Sequence, residues 1–437
     1  MFAHGDIETT TRPAMTYSPN DLIKLTNCRL ALGDNLIPGD LWICASTGKI
    51  IDQQTVFYEQ TIRPSSVHDL GGRILAPGLI DVQLNGGWGF DFSVPTERAQ
   101  DFKDGVEMVN RQLIKTGVTS YLPTIISSKN DVYEKNLPFL SQPKDRNPTS
   151  GAESLGAHCE GPFLNPFKNG IHNKSVLQPP VNGISSLASV YGAANLRPET
   201  IAMITLAPEQ PGALSAISEL SKLGIISSGG HSNATYREMW HAVSSGVTMV
   251  THMFNAMEQP HHRSPGIFGI LGAQEGLKRP YYGIIADDIH VHPSFVRVAH
   301  GAHPEGTILV TDAMRMLGLP DGIYEWTNGE RIKKTGGKLT LGEGDTIAGS
   351  SVTLVECLKN FVNWTGVSVA EGIKTVTETP AKMLGIEDRK GTLRPGADAD
   401  LVVLNEAVGG DGQLMLTVEK VYKFGAEVYN AGDKARL

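Results

Sequence analysis

Cysteine is scarce in this 437-residue sequence, and its four copies are scattered. Cys28, Cys44, Cys159 and Cys357 form no C-x-x-C pair, which argues against a disulfide framework and favours a reducing compartment. The sequence also lacks a run of 18 apolar residues, so no membrane-spanning segment is expected. Residues 1–20 contain one arginine and no apolar core, unlike a secretory signal peptide. Together these absences predict a cytoplasmic protein.

Charge is sparse as well. Charged residues make up 19% of the chain and the net charge is −8, whereas globular domains usually carry about 25% charged residues. Without a basic field, nucleic acid is not an expected partner. Any anionic ligand must therefore be bound by a local cluster of donors.

Glycine and apolar residues are abundant by contrast. The chain holds 48 glycines, and 40% of its residues are hydrophobic. Such a composition excludes disorder of the whole chain. It suits an α/β protein with many tight loops.

Short apolar runs alternate with helical patterns along the middle of the chain, which predicts successive β-α units. The candidate strands number eight and are Ile74–Asn85, Val118–Ile125, Ser154–Gly161, Ile201–Glu209, Gly224–His231, Val247–His252, Tyr281–His290 and Thr307–Ala313. Eight such units predict a (β/α)8 TIM-type barrel, an α/β fold whose active site lies at the C-terminal ends of the strands.

Both flanks of this series contain short strand-like runs separated by turn residues, and neither flank is long enough to bury much surface alone. We therefore expect the termini to pair into one small domain. The predicted organisation is a loose tail over residues 1–20, a small β-sandwich domain formed by 21–73 together with 386–437, and the catalytic barrel over 74–385.

Four polar residues stand at the predicted strand ends. Glu160 ends the third strand, His231 the fifth, His252 the sixth, and Asp312 lies at the end of the eighth. Parallel strand ends meet at one mouth of a barrel, so these side chains should converge. Two imidazoles and a carboxylate are a typical ligand set for a catalytic Zn²⁺ that keeps one position open for water. Asp312 is left to move protons. A single histidine at a strand end is more often structural, and only the convergence of four residues favours a site.

The sequence resembles the amidohydrolase superfamily and, within it, the N-acetylglucosamine-6-phosphate deacetylases. The resemblance extends over nearly the whole chain in family order. Its motifs are APGLIDVQLNGGWG (76–89), HCEGPFLNPFKNGIHN (158–173), GGHSNATY (229–236), THMFNAM (251–257), IIADDIHVHP (284–293), LVTDAM (309–314), IAGSS (347–351) and GTLRPGADADLVVL (391–404).

The resemblance implies a role for each matched position. Glu160, His231 and His252 become metal ligands, and Asp312 the catalytic base and then acid. His172 would hydrogen-bond the substrate near its acetyl carbonyl. The other implied substrate-binding residues are Gln83, Ile171, Asn255, Ala256, Arg263, His290, Ile347, Ala348 and Gly349. Of these, Arg263 and His290 are candidates to bind phosphate across a dimer interface.

One position departs from the common superfamily pattern. Many superfamily members carry His-x-His after the first strand and bind two metals, whereas this chain has Gln83 and Asn85 there. An amide is a poor Zn²⁺ ligand. We therefore expect one divalent ion per chain, and we expect it to be Zn²⁺.

The resemblance implies a hydrolase that removes the acetyl group from N-acetyl-D-glucosamine 6-phosphate, with a metal-bound water as nucleophile, and a homodimer. Two alternatives stay open at this point. One is a cyclic-amide hydrolase of the dihydropyrimidinase type, against which Gln83 and Asn85 argue. The other is a catalytically inactive scaffold, which would be expected to have lost some of the four polar residues.

Overall fold

The computed structural model describes residues 18–273, 276–325, 331–342, 344 and 346–436. Most of the predicted N-terminal tail, residues 1–17, lies outside this part of the chain. None of the helices in these ranges is both long and apolar enough to cross a membrane.

Eight parallel strands form the barrel. In spatial order they are Leu79–Leu84, Val118–Ile126, Ala157–Glu160, Ile201–Leu206, Ile226–Gly229, Val247–Val250, Tyr281–Ile284 and Thr307–Leu309. The seam between the last and the first strand is closed just beyond the final strand, by a parallel bridge between Leu84 and Ala313. The predicted fold class is confirmed, and the strand order equals the chain order, as in a (β/α)8 barrel.

Helices cover the outside of these strands. Among the described residues the α-helices are Ala99–Ile114, Asn130–Leu140, Ile184–Tyr191, Ala213–Leu223, Tyr236–Ser245, Pro293–Ala302, Leu354–Thr365, Val369–Lys374 and Glu378–Met383. Their apolar faces and the strands bury one continuous core that includes Leu137, Ile204, Leu220 and Phe361. Cys159 is fully buried within it, on the face expected from strand alternation.

The two termini build a second sheet. Its strands are Leu22–Leu32, Asn35–Cys44, Lys49–Ile51, Ser66–Asp69, Ile74–Pro77, Leu401–Val408, Leu414–Lys423 and Ala426–Asn430. The predicted strand Ile74–Asn85 is therefore two strands, because Ile74–Pro77 pairs with Leu401–Val408 in this sheet before the chain enters the barrel. The division of the chain at residues 73/74 and 385/386 stays a prediction.

Two smaller sheets and one short strand lie next to the barrel strands. Gly86–Gly87 pairs with Phe90–Asp91, and an antiparallel sheet is formed by Gly322–Glu325, Arg331–Thr335, Lys338–Leu341 and Ile347–Ser350. A short strand, Glu153–Ser154, pairs with Val118–Ile126 at its N-terminal half. The four-stranded sheet brings residues 347–349 to the C-terminal end of the barrel.

Buried charges join the terminal sheet to the barrel. Lys423 contacts Glu153 at 3.0 Å and Asp400 at 2.7 Å, and Lys390 contacts the same two carboxylates at 2.6 and 2.5 Å. Both lysine side chains are only 1% exposed. We refer to Glu153, Lys390, Asp400 and Lys423 as the buried ion cluster. Because Glu153 precedes the third barrel strand and Lys423 ends a strand of the terminal sheet, the cluster fixes the two sheets against each other.

Candidate active site

The polar residues of the site follow the barrel strands directly, on a tightly turning backbone. Glu160 is the last residue of the third strand, whereas His231, His252 and Asp312 lie two or three residues beyond theirs. These last three have φ angles of 47°, 29° and 47°, in the left-handed region that residues other than glycine rarely adopt. Such strain clusters at functional sites, where the surrounding structure holds it in place.

Three ligand-type atoms meet at one point. Glu160 Oε1 lies 3.1 Å from His231 Nε2 and 2.9 Å from His252 Nε2, and the two Nε2 atoms are 3.0 Å apart. All three side chains are nearly inaccessible to solvent. A carboxylate oxygen and two imidazole nitrogens at this spacing suit a divalent ion that accepts mixed N and O ligands, such as Zn²⁺.

Hydrogen bonding prepares His231 for this role. Its Nδ1 lies 2.7 Å from the backbone oxygen of Lys168. A carbonyl oxygen only accepts, so Nδ1 carries a proton and Nε2 is the nitrogen left to bind a metal ion. His252 Nδ1 is buried and has no hydrogen-bond partner among the described residues, so the ring of His252 is oriented by its Nε2 contacts.

His172 lies beside the same point. The ligand atoms of Glu160, His172 and His231 are all within 4.8 Å of one another. The backbone N–H of Ser127 donates to His172 Nδ1 at 3.2 Å, so the proton of a neutral ring must be on Nε2. Burial, followed by the charge of His231, lowers the pKa of His172 to about 3 and keeps the ring neutral. His172 therefore points an N–H donor, rather than a lone pair, toward Glu160.

Two amides hold Asp312 next to the ligands. Asn85 donates to Asp312 Oδ1 at 2.8 Å, and Gln83 Nε2 lies 3.2 Å from both that atom and Glu160 Oε1. Burial, followed by the negative charge of Glu160, raises the pKa of Asp312 to about 6. A carboxyl group with such a pKa can both take and return a proton near neutral pH.

Burial and the neighbouring charges shift the pKa values of Glu160 and His252 in opposite directions. Burial alone would raise the pKa of Glu160, but hydrogen bonds with His231 and His252 and their charges hold it well below its usual value. Burial alone would lower the pKa of His252, whereas the Glu160 carboxylate raises it. The carboxylate thus stays ionised beside the two imidazoles.

A cavity of about 200 Å³ opens over this centre. Most of the predicted site residues line it. They are Glu160, Ile171, His172, His231, His252, Asn255, Ala256, His290, Asp312, Ile347 and Gly349, and the structure adds Asn85, Ile126, Gly170 and Met314.

Three predicted substrate-binding residues do not line this cavity. Gln83 is buried beneath it and contacts Glu160 and Asp312 instead. Ala348 faces a small apolar cluster with Met314, because strand alternation turns it away from its two neighbours. Arg263 lies in an exposed loop, where its guanidinium contacts His262 Nε2 at 2.9 Å.

The sequence placed Gln83 and Asn85 at the position of a second metal, but it did not predict that Asn85 orients Asp312. Asn85 directly follows the first strand and lies two positions after Gln83, so alternation could have placed both amides beside Asp312. Ser127 contacts His172 through its backbone N–H and its hydroxyl, and Lys168 contacts His231 through its carbonyl. These contacts join segments that are distant in the chain, so the sequence carries no local signal for them.

Comparison with known proteins agrees with this geometry. The amidohydrolase family model matches residues 74–423, which include every barrel strand and every residue of the site. Among solved structures, N-acetylglucosamine-6-phosphate deacetylase from Pasteurella multocida superposes with a TM-score of 0.76 at 27% identity, covering 93% of this chain and 99% of that one.

Curated relatives are closer in sequence. N-acetylglucosamine-6-phosphate deacetylase of Mus musculus is 41% identical over 391 residues, covering 89% of this chain and 92% of the relative. The enzyme of the same name from Danio rerio is 39% identical over 411 residues, covering 93% and 97%. The chain therefore belongs to the amidohydrolase family and, within it, to the N-acetylglucosamine-6-phosphate deacetylases.

Proposed function

We propose that this protein is a metal-dependent hydrolase that converts N-acetyl-D-glucosamine 6-phosphate to D-glucosamine 6-phosphate and acetate. The observation that carries the proposal is the convergence of Glu160, His231 and His252 within about 3 Å of one another, next to the buried carboxyl group of Asp312. The relatives that align with about nine-tenths or more of this chain are named for the same reaction.

Glu160, His231 and His252 would hold one divalent ion, and their mixed N and O donors fit Zn²⁺. When bound, such an ion supplies Lewis-acid chemistry that activates water and polarises the acetyl carbonyl. Gln83 and Asn85 supply amide groups where a second ion would need stronger ligands. Their N–H groups already face Glu160 and Asp312, which supports a single ion per chain.

Asp312 moves the proton. Its Oδ1 accepts hydrogen bonds from Asn85 and Gln83, which leaves Oδ2 to take a proton from the attacking water. The same carboxyl group then gives the proton to the departing amine nitrogen, because an amine leaves only when protonated. The pKa of about 6 supports both halves of this cycle.

His172 would bind the acetyl carbonyl. Ser127 holds its Nδ1 as an acceptor, so the Nε2–H can donate to the carbonyl oxygen, where negative charge develops during attack. Ile171, Ile347 and Gly349 would then line the sugar side of the cavity.

The phosphate would be bound by Asn255, by the backbone N–H of Ala256 and by His290, all of which line the cavity. The backbone N–H of Asn255 itself donates to the His252 carbonyl at 2.9 Å. Ala256 has a φ of 49°, which turns the backbone sharply at this point. Backbone N–H groups in such turns form concave sites that accept anions.

Arg263 is the remaining phosphate donor, and we propose that it acts on the cavity of a second copy in a homodimer. Within one chain it is exposed and does not reach the cavity. Phe295 and Val298 are 43% and 52% exposed, and Phe295 packs against Phe254 of the segment that continues to Arg263, with ring centroids 5.1 Å apart. Exposed apolar side chains next to a functional loop are typical of an interface. Light scattering of the purified protein would decide: a monomer would remove this role from Arg263.

All four cysteines are buried and unpaired. We therefore place the reaction in a reducing compartment and propose the cytoplasm.

The function is tested by acetate release from N-acetyl-D-glucosamine 6-phosphate, with the unphosphorylated sugar and a cyclic amide such as dihydrouracil as comparison substrates. Metal content is measured on the same sample. We expect turnover of the sugar phosphate, little of the other two, and about one ion per chain. Turnover of dihydrouracil with two ions would favour the cyclic-amide hydrolase, and a folded protein with no ion and no turnover would favour a scaffold.

A further inference from the structure

A buried carboxylate lies behind the cavity residue His290. Asp287 Oδ2 is 2.7 Å from His290 Nδ1. The carboxyl group of Asp287 is fully buried, whereas the His290 ring is 10% exposed and lines the cavity. Nε2 of His290 has no hydrogen-bond partner among the described residues, so the ring offers this atom to a ligand.

The other oxygen of Asp287 fixes the carboxylate itself. Oδ1 accepts the backbone N–H groups of Ile289 and His290 at 2.9 and 2.8 Å. The turn that begins at the end of the seventh barrel strand therefore clamps Asp287 at one oxygen and leaves the second for the imidazole. A ring held in this way cannot swing away from the cavity without breaking a buried hydrogen bond.

The chemistry of the pair determines what Nε2 can bind. An ionised carboxylate only accepts, so Nδ1 of His290 keeps its proton. Burial alone would raise the pKa of Asp287, but the hydrogen bonds with His290 and the turn hold it below its usual value. When Nε2 also carries a proton, it can donate to a phosphate oxygen, and carboxylate, imidazolium and phosphate then form a chain of two charge-assisted hydrogen bonds, which are stronger than neutral ones.

We propose that Asp287 is a positioning residue for the substrate, which holds His290 with Nε2 facing the cavity and strengthens the hydrogen bond from that nitrogen to the substrate's phosphate. The proposal rests on the proposed function, because it takes the phosphate side of the substrate to lie at His290. Asp287 would not touch the substrate itself and would act only through His290.

Asp287→Asn removes the negative charge of this side chain while keeping the turn that positions it. The amide oxygen can still accept the two backbone N–H groups, so the turn is kept, but the amide NH₂ then faces Nδ1 and the carboxylate–imidazole bond is lost. Asp288→Asn is the matched control, since Asp288 is the neighbouring residue, is exposed, and makes no hydrogen bond in the described structure.

We expect Asp287→Asn to raise KM for N-acetyl-D-glucosamine 6-phosphate about 10-fold, with kcat within about twofold of wild type, because one charge-assisted bond is weakened. KM for the unphosphorylated sugar should not change, and neither should either constant in Asp288→Asn. In a His290→Gln background, Asp287→Asn should have no further effect. The proposal would be overturned if Asp287→Asn raised KM equally for both sugars. It would also be overturned if Asp287→Asn raised KM by the same factor in the His290→Gln background as in wild type.

Two further measurements test the role of Asp287 without relying on acetate release. ¹⁵N NMR should show a protected Nδ1 proton that disappears in both His290→Gln and Asp287→Asn, and its absence from wild type would overturn the proposal even if Asp287→Asn does not fold. Calorimetry with D-glucosamine 6-phosphate should show the same loss of affinity in Asp287→Asn. If wild type binds this compound in an Asp287-dependent way but releases no acetate, the proposed reaction is wrong and the positioning role stands.

Discussion

Replacing Glu153 by Gln tests the buried ion cluster that joins the terminal sheet to the barrel. The nearby charges of Lys423 and Lys390 outweigh the effect of burial and lower the pKa of Glu153 from 4.5 to about 2. Since a tenfold change in proton affinity is about 1.4 kcal/mol, the ionised side chain contributes roughly 3 kcal/mol to the free energy of unfolding at neutral pH. This agrees with the ~3–5 kcal/mol lost when one partner of a buried ion pair is removed.

The control is Glu427→Gln, the same chemical change at the surface. Glu427 pairs with Lys420 at 2.9 Å, and both side chains are 29% exposed. Solvent screens such a pair, so we expect a loss of at most about 1 kcal/mol. Lys420 lies on the same strand, Leu414–Lys423, as Lys423, so the two variants compare a buried and an exposed pair on one element.

The assay is urea unfolding followed by circular dichroism, repeated at decreasing pH. A pKa that is lower in the folded than in the unfolded chain gives stability that is complete above the unfolded value. That stability is lost as the pH falls from 4.5 toward about 2. The gap between wild type and Glu153→Gln should therefore be full at neutral pH and shrink across that window. A neutral-pH gap no larger than that of Glu427→Gln, or one that stays constant with pH, would refute the reasoning.

The remaining predictions concern the site. His231→Ala removes one of three ligands and should abolish both metal binding and acetate release; full metal occupancy, measured by mass spectrometry, would contradict the ligand assignment. Asp312→Asn should retain the metal and the affinity for substrate but lower turnover by at least ~10²-fold, and loss of metal instead would make Asp312 a ligand. Arg263→Ala should weaken binding of the phosphorylated substrate by about 10- to 100-fold and leave the unphosphorylated sugar unchanged; equal losses for both would mean that Arg263 supports its loop.

The barrel could be predicted from the sequence because each buried strand is a short apolar run bounded by turn residues. Parallel strand ends share one edge, so placing Glu160, His231, His252 and Asp312 at the ends of strands was enough to predict that they meet. The alternation of side chains also placed Cys159 in the apolar core. These inferences depend only on the period of a strand and on chain order.

Other features depend on contacts between distant segments. The left-handed φ angles of His231, His252 and Asp312 are uncommon for any residue other than glycine, so no local sequence pattern predicts them. The hydrogen bond from Ser127 to His172 joins two loops 45 residues apart and uses a backbone donor that every residue possesses. The sequence predicts a single strand over Ile74–Asn85, although Pro77-Gly78 is a turn signal within it. The pairing of Ile74–Pro77 with Leu401–Val408 shows that there are two strands, in different sheets.

The seam of the barrel has a consequence for refolding. Asn85 and Asp312, whose side chains meet at 2.8 Å, are 227 residues apart in the chain and lie on either side of the seam. The proposed ligands Glu160 and His252 are separated by 92 residues and belong to the third and sixth β-α units. With the proposed ligand set, a partly assembled barrel that contains those strands would bind an ion, whereas the proposed base Asp312 reaches its position only when the last strand meets the first. During refolding, metal uptake should therefore precede the return of turnover, and the interval between them measures how long the barrel takes to close.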